Sequence, residues 1–263
     1  MFRVELMSTD IHVKSRAGTP AGFFECEATG LRWLAEAQGA RVVDVVGAQS
    51  DRLVLNRIAS AEPTRAAAEA FGVALAQTHD AGAAGFGAAP DGWDGPGFFG
   101  PLSDPRPMPL IPRESFGEFW AEDRISSALD LLPGVYSTDE LAVFDRLKGR
   151  LHSGEFDDSD PAARLHGDLW WGNLMWDADG AVLIDPAAHG GHREEDLALL
   201  GMFGTSHFEF LDVIISSYEE AHPLPPGREE RADLHRLYAV LMHAVFFGGG
   251  YAGQALRIAQ RYA

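Results

Sequence analysis

The sequence predicts an α+β chain of two lobes, a small mixed strand-and-helix lobe over residues 1–58 and a larger, mostly helical lobe over residues 59–263. Three observations carry this reading. Before residue 58, apolar residues run or alternate as strands do, around one helical stretch. From Pro63 onward the apolar spacing is helical, and Ser115/Glu118, Ser137/Glu140 and Ser206/Glu209 each match a capping box. Within the second lobe, Arg164 to Asp196 concentrates His, Asp, Asn and Gly at short, regular separations.

In chain order, Phe2–Leu6 and Ile11–Lys14 read as strands flanking a Ser8-Thr9-Asp10 turn. A helix follows from about Gly22 to Gln38, with Phe24, Leu31 and Leu34 as apolar positions and Gly39 as the stop. Val42–Val46 and Leu53–Ile58 are two further strands. A helix carrying Phe71, Leu75 and His79 ends at Gly82. Gly95-Pro96-Gly97-Phe98-Phe99-Gly100 spells G-x-G-x-x-G, but Pro101 follows it and no strand precedes it, so it reads as a loop. Phe119, Trp120 and Ile125 carry the next helix, which Pro133-Gly134 stops, and Leu141, Phe144, Leu147 and Leu151 carry another. Asp157 to Pro161 reads as a solvated acidic loop. Glu194–Phe203, Ser206–Glu220, a long helix with Leu234, Leu237, Tyr238, Leu241 and Val245 on one face, and a short terminal helix complete the chain.

The chemistry sits in the Arg164–Asp196 stretch. His166-Gly167-Asp168 is followed five residues later by Asn173, and twelve residues after that by Asp185, at the end of Val182-Leu183-Ile184. In a tight loop, Asp168 would orient or deprotonate an attacking hydroxyl. Asn173 would offer a neutral oxygen to Mg²⁺, and Asp185, at a strand end, the anionic oxygen a hard dication needs. The bland alternative is a hairpin turning at Asp177–Gly180, with Asp168 and Asp185 as ordinary loop carboxylates. His189 and His192 also have a zinc-like spacing, but they lie in a Gly-Gly loop and no cysteine accompanies them. Arg193 and Asp196 are read instead as an ion pair supporting the loop, and His166 as a packed, hydrogen-bonded support.

These parts resemble the protein-kinase signature, with Gly167 in place of its Arg and Asp185-Pro186 in place of D-F-G. H-G-D-L-W-x-G-N, then I-D-P-A, then G-H-R-E-x-D-L-A closely resemble the fructosamine (ketosamine) 3-kinase family, and the likeness covers nearly the whole chain after Val13. The resemblance implies a two-lobed protein-kinase-like fold, ATP and Mg²⁺ as cofactors, and phosphorylation of a sugar hydroxyl on a small-molecule sugar-amine, free or protein-linked, and so a role in deglycation. It implies that Lys14 holds the α- and β-phosphates, that Glu27 fixes the Lys14 ammonium, and that Asn56 and Ile58 belong to a hinge whose backbone bonds adenine. Trp170 would pack on the sugar and His192 would line the acceptor site. Trp171 stands where the family usually has a small residue, which would narrow the acceptor pocket. The pattern departs from the family at the start. Kinases of this kind place a strand, a glycine loop and a second strand before the lysine, whereas thirteen residues precede Lys14 and none is Gly. An aminoglycoside- or choline-type phosphotransferase shares H-G-D-x-x-x-x-N and I-D, and a non-catalytic pseudokinase would fit the missing loop.

Composition narrows the classes. A net charge of −18 over 263 residues opposes a nucleic-acid surface and an anionic membrane surface, yet suits a cationic amine. The single cysteine, Cys26, fits a reducing compartment, and no signal peptide or bilayer-length apolar run is read, so the expected location is cytoplasmic. Oligomeric state is not legible.

Overall fold

The computed structural model describes residues 11–202 and 208–263, with no account of the Phe208 side chain. The expected Phe2–Leu6 strand, the Ser8–Asp10 turn and the Ser206 cap lie outside these residues. The first described lobe is a three-stranded antiparallel sheet ordered β1 (Ile11–Ser15), β3 (Arg52–Asn56), β2 (Val45–Gln49), with α1 (Phe23–Glu36) packed on it. Phe24, Leu31, Leu53 and Leu55 form its core. The expected strand at Val42–Val46 starts late for a physical reason. Val43 N–H donates to Leu183 O and Leu183 N–H donates to Arg41 O, so residues 41–43 spend their hydrogen bonds tying this lobe to the next one.

The rest is mostly helical. Thr64 caps α2 (Arg65–Asp80), which lies against α7 (Phe208–Ala221) so closely that a Cβ on Gly72 would stand 2.3 Å from Ile214 O. α3 (Phe116–Phe119) runs through a π-helical segment (Trp120–Ser126) into α4 (Ser127–Asp130), burying Phe119, Trp120 and Ile125 as their spacing predicts. Ser137 and Glu140 close a full capping box on α5 (Thr138–His152). At Ser115 the box is only half made, because Glu118 turns its carboxylate to Arg113 at 2.8 Å. α6 (Glu194–Leu200), α8 (Arg228–Phe247) and α9 (Tyr251–Tyr262) pack behind the site.

Two corrections concern loops. Gly97–Phe99 of the glycine-rich segment forms a strand, β4, paired antiparallel with β5 (Arg106–Met108). The acidic loop is pinned rather than free: Asp157 accepts from Gly117 N–H at 2.7 Å, Asp158 meets His192 at 3.0 Å, and Asp160 meets Arg193 at 2.8 Å.

Glu194 opens α6 with its side chain 1% exposed. Burial alone would raise its pKa, but His235 and Arg231, the latter through both Nε and Nη2, hold it down at about 2. Such a depressed carboxyl contributes stability above its unfolded pKa, and loses it as pH falls toward 2. Arg231→Ala is expected to cost about 3 kcal/mol, because it strands a buried charge. Urea unfolding at neutral pH checks this, and the deficit should shrink as Glu194 is protonated in acid.

Candidate active site

β6 (Ala163–Leu165) pairs with β9 (His189–Gly191) and delivers the His166-Gly167-Asp168 turn at its end. Gly167 has φ +79°, and a Cβ there would stand 2.3 Å from Ala187 O, so only glycine fits. The turn is anchored from beneath. Asp196, fully buried in α6, accepts from the backbone N–H of His166 (2.8 Å) and of Gly167 (2.9 Å), and from His79 Nε2 (3.2 Å). His79 Nδ1 in turn meets the Tyr218 hydroxyl at 2.8 Å, and Tyr218 accepts from Arg193.

His166 is a support, as its sequence context suggests. Nε2 donates to Ile184 O at 2.8 Å and Nδ1 accepts from Asp168 N–H at 3.2 Å, a pairing that needs the neutral ring. Burial pushes its pKa down, which agrees. Arg193 does not pair with Asp196. Its guanidinium reaches Asp80 (3.0 Å) and Asp160 (2.8 Å) instead.

A short 3₁₀ turn, Trp171–Asn173, leads into the hairpin β7 (Leu174–Asp177) and β8 (Gly180–Leu183), which turns at Asp177–Gly180. Ile184 N–H donates to Asn173 O at 3.1 Å, so the end of the hairpin returns to its beginning. Asp185 then takes φ +54°, a left-handed conformation uncommon for a non-glycine residue. Asn173 Nδ2 donates to Asp168 O (2.8 Å) and Asp168 Oδ2 (3.1 Å), which leaves Oδ1 as the atom able to meet a cation. From the other lobe, Lys14 on β1 donates to both oxygens of Glu27 on α1, at 2.7 and 2.9 Å, and to Asp185 Oδ1 at 3.0 Å. Burial alone would lower the Lys14 pKa, but these two carboxylates raise it, so the ammonium stays charged. Burial also pushes Asp168 up to about 8, against the Asn173 hydrogen bond and with the charges of Asp196 and Asp185.

Lys14, Glu27, Asp168, Trp170, Asn173 and Asp185 all line one cavity of about 890 Å³. Four expected residues do not line it. Asn56 N–H is spent on Asp44 O at 2.9 Å, and Ile58 packs on the small lobe's core. His192 is buried between Asp158, Glu194 N–H and a stacked His235 ring at 4.7 Å. Trp171 turns away into a second core beside Trp176, so it does not narrow the acceptor end. The imidazole nitrogens and carboxylate oxygens of His192, Glu194 and His235 lie close enough for a metal, but the two rings are stacked and Arg231 already neutralises Glu194. The glycine-rich arm belongs to the segment from Phe86 to Leu102 that resembles the family's insertion near the acceptor site: Gly97–Leu102 lines the cavity, reaching α1 through Phe98 on Phe23 (5.5 Å) and α8 through Phe99 on Tyr238 (5.1 Å). Among the described residues, no helix is long and apolar enough to cross a membrane.

Known proteins resemble this chain in sequence and in fold. The crystal structure of a putative fructosamine-3-kinase from Thermobifida fusca is 39% identical, with TM-score 0.84, over 96% of this chain and 85% of that one. The ketosamine-3-kinase of Mus musculus is 35% identical over 147 residues, 56% of this chain and 46% of its own length. The ADP-bound aminoglycoside phosphotransferase APH(2'')-Ib shares the kinase-like fold at 13% identity, with TM-score 0.63 over 97% of this chain and 88% of that one. The fructosamine kinase family model matches residues 1–263, and the chain is therefore a phosphotransferase belonging to the fructosamine kinase family.

Proposed function

We propose that the chain transfers the γ-phosphoryl group of ATP to a sugar hydroxyl of a ketosamine, dividing the work between lobes that meet at residues 58 and 59. The observation that carries this reading is the Lys14 ammonium held jointly by Glu27 and Asp185, in one cavity with Asp168 and Asn173. Lys14 would meet the phosphates of ATP. Asn173 Oδ1 and the Asp185 carboxylate are hard oxygen donors that fit Mg²⁺, whose charge would offset that of the phosphates. Asp168 would orient the acceptor hydroxyl and, as its oxygen bonds to the γ-phosphorus and the bond to ADP breaks, accept its proton. A carboxyl pushed up to about 8 is suited to that late transfer near neutral pH. Trp170, 37% exposed on the cavity wall, offers an indole face to the sugar. The ketosamine is drawn from the family, whose mouse member is a ketosamine-3-kinase, and from an acidic surface that suits an amine.

The test is ADP release by the purified chain with Mg-ATP and a ribulosyl- or fructosyl-amine. Turnover should require the ketosamine, be absent with choline, and drop about 10³-fold in Asp168→Ala. Turnover with choline alone, or full activity in the variant, overturns the reading.

A further inference from the structure

The cavity that holds Asp168 also reaches the corner where α8 meets α9. Phe246, Phe247 and Tyr251 line it there, and Trp170 and Phe99 of the arm line the same cavity. Gly248 and Gly249, at φ +60° and +62°, reverse the chain between the helices and leave Phe247 and Tyr251 6.3 Å apart, ring to ring. Phe247 is 62% exposed, far more than an aromatic side chain needs to be when its neighbours are core. Phe246 is fixed from the arm side, since a Cβ on Gly100 would stand 2.1 Å from its ring.

Charge is absent from this end. Among the described lining residues, α6, α8, α9 and the arm contribute no Lys, Arg, Asp or Glu, and Lys14 is the only Lys or Arg anywhere in the cavity. Glu27 and Asp185 already hold Lys14. His243 adds no fixed charge at neutral pH, because burial lowers its pKa against the opposing hydrogen bond from Nδ1 to Ala239 O.

We propose, on the ketosamine reading, that this aromatic corner is the subsite for the substituent on the acceptor's nitrogen, and that it selects an uncharged alkyl or aryl group over one ending in a carboxylate. An apolar substituent would cover Phe247 and Tyr251 and shed water from both surfaces. A carboxylate would lose hydration without meeting a cation, in a cavity whose other charged lining residues include the carboxylates of Glu27, Asp168 and Asp185. An exposed Phe247 can be exchanged without opening the core, so the subsite is testable in a folded protein.

The experiment compares kcat/KM for the N-(4-phenylbutyl) and N-(4-carboxybutyl) ketosamines of one sugar, with thermal melts confirming that each variant folds. The chain should favour phenylbutyl by about 30-fold or more, in the range that one apolar group discriminates. Phe247→Ala should raise KM for the phenylbutyl compound about tenfold, and Phe247→Arg should favour the carboxylate. A ratio near one, or a ratio unchanged in both variants, overturns the proposal. Turnover of neither compound is a failure of the kinase reading alone. Tryptophan-fluorescence titration with 4-phenylbutylamine and 5-aminopentanoate then decides the subsite: selective phenylbutylamine binding lost in Phe247→Ala supports it, and equal binding sinks it.

Discussion

Asp168→Asn is expected to raise the melting temperature of the ligand-free chain by about 4–8 °C at neutral pH while lowering turnover about 10³-fold. Both effects come from one carboxyl. Burial pushes Asp168 up to about 8, from 3.8, so between those values the folded chain binds a proton that the unfolded chain has released. The sign follows: stability is full below about pH 4, falls as pH rises through the window, and levels off above about 8. Three units of that window lie below neutrality, an upper bound of about 4 kcal/mol. Asp168 retains some contact with solvent in the open cavity, which brings the figure to about 2 kcal/mol. Asparagine removes the charge and keeps an oxygen for Asn173 Nδ2, which now bonds Asp168 Oδ2 at 3.1 Å. Melts of both proteins across pH are the measurement. The gap should widen from acid toward pH 8, and a gap independent of pH would show that Asp168 carries no such cost.

That trade of stability for activity is the physical mark of a site, and part of it was legible beforehand. His166, Asp168, Asn173 and Asp185 lie within twenty residues on a turn and a hairpin, so local spacing alone brings them together. Lys14 and Glu27 were reached through family resemblance, and the structure joins them across the β1–α1 connection. Other residues sit elsewhere than expected for reasons spacing cannot carry. Asn56 spends its N–H on Asp44, and Arg41–Val43 pair with a strand about 140 residues away. Trp171 follows Trp170 directly, yet the tight turn sends one ring into the cavity and the other into the core. The acidic loop looked solvated because its partners, His192 and Arg193, lie more than thirty residues downstream. The arm looked like a loop because strand pairing with Arg106–Met108 leaves no mark in so short a run.

Asp196 shows the same limit most sharply, since the loop it supports is formed thirty residues earlier and its other partner, His79, is 117 residues away. One carboxylate receives three donors there: two backbone N–H groups of the turn that presents Asp168, and the His79 ring. These bonds hold its pKa below the usual range even though burial works the other way. Asp196→Asn keeps the volume but places an amide N–H₂ against a donor, leaving at least one backbone N–H of the turn unpaired and buried. The cost to stability is expected to be about 3 kcal/mol. The larger effect falls on rate, because Asp168 is aimed by Gly167 and a displacement of about 1 Å at the reacting groups costs about 100-fold. Turnover should therefore fall about 100-fold while KM for ATP changes less than about threefold, since Lys14 and Glu27 on the other lobe do not touch Asp196. His79→Gln, which can still donate to Asp196, should recover most of the rate if the ring acts only as a donor. Steady-state kinetics of the two variants decide it. A KM that rises as far as kcat falls would mean that Asp196 holds up the whole cavity rather than the turn.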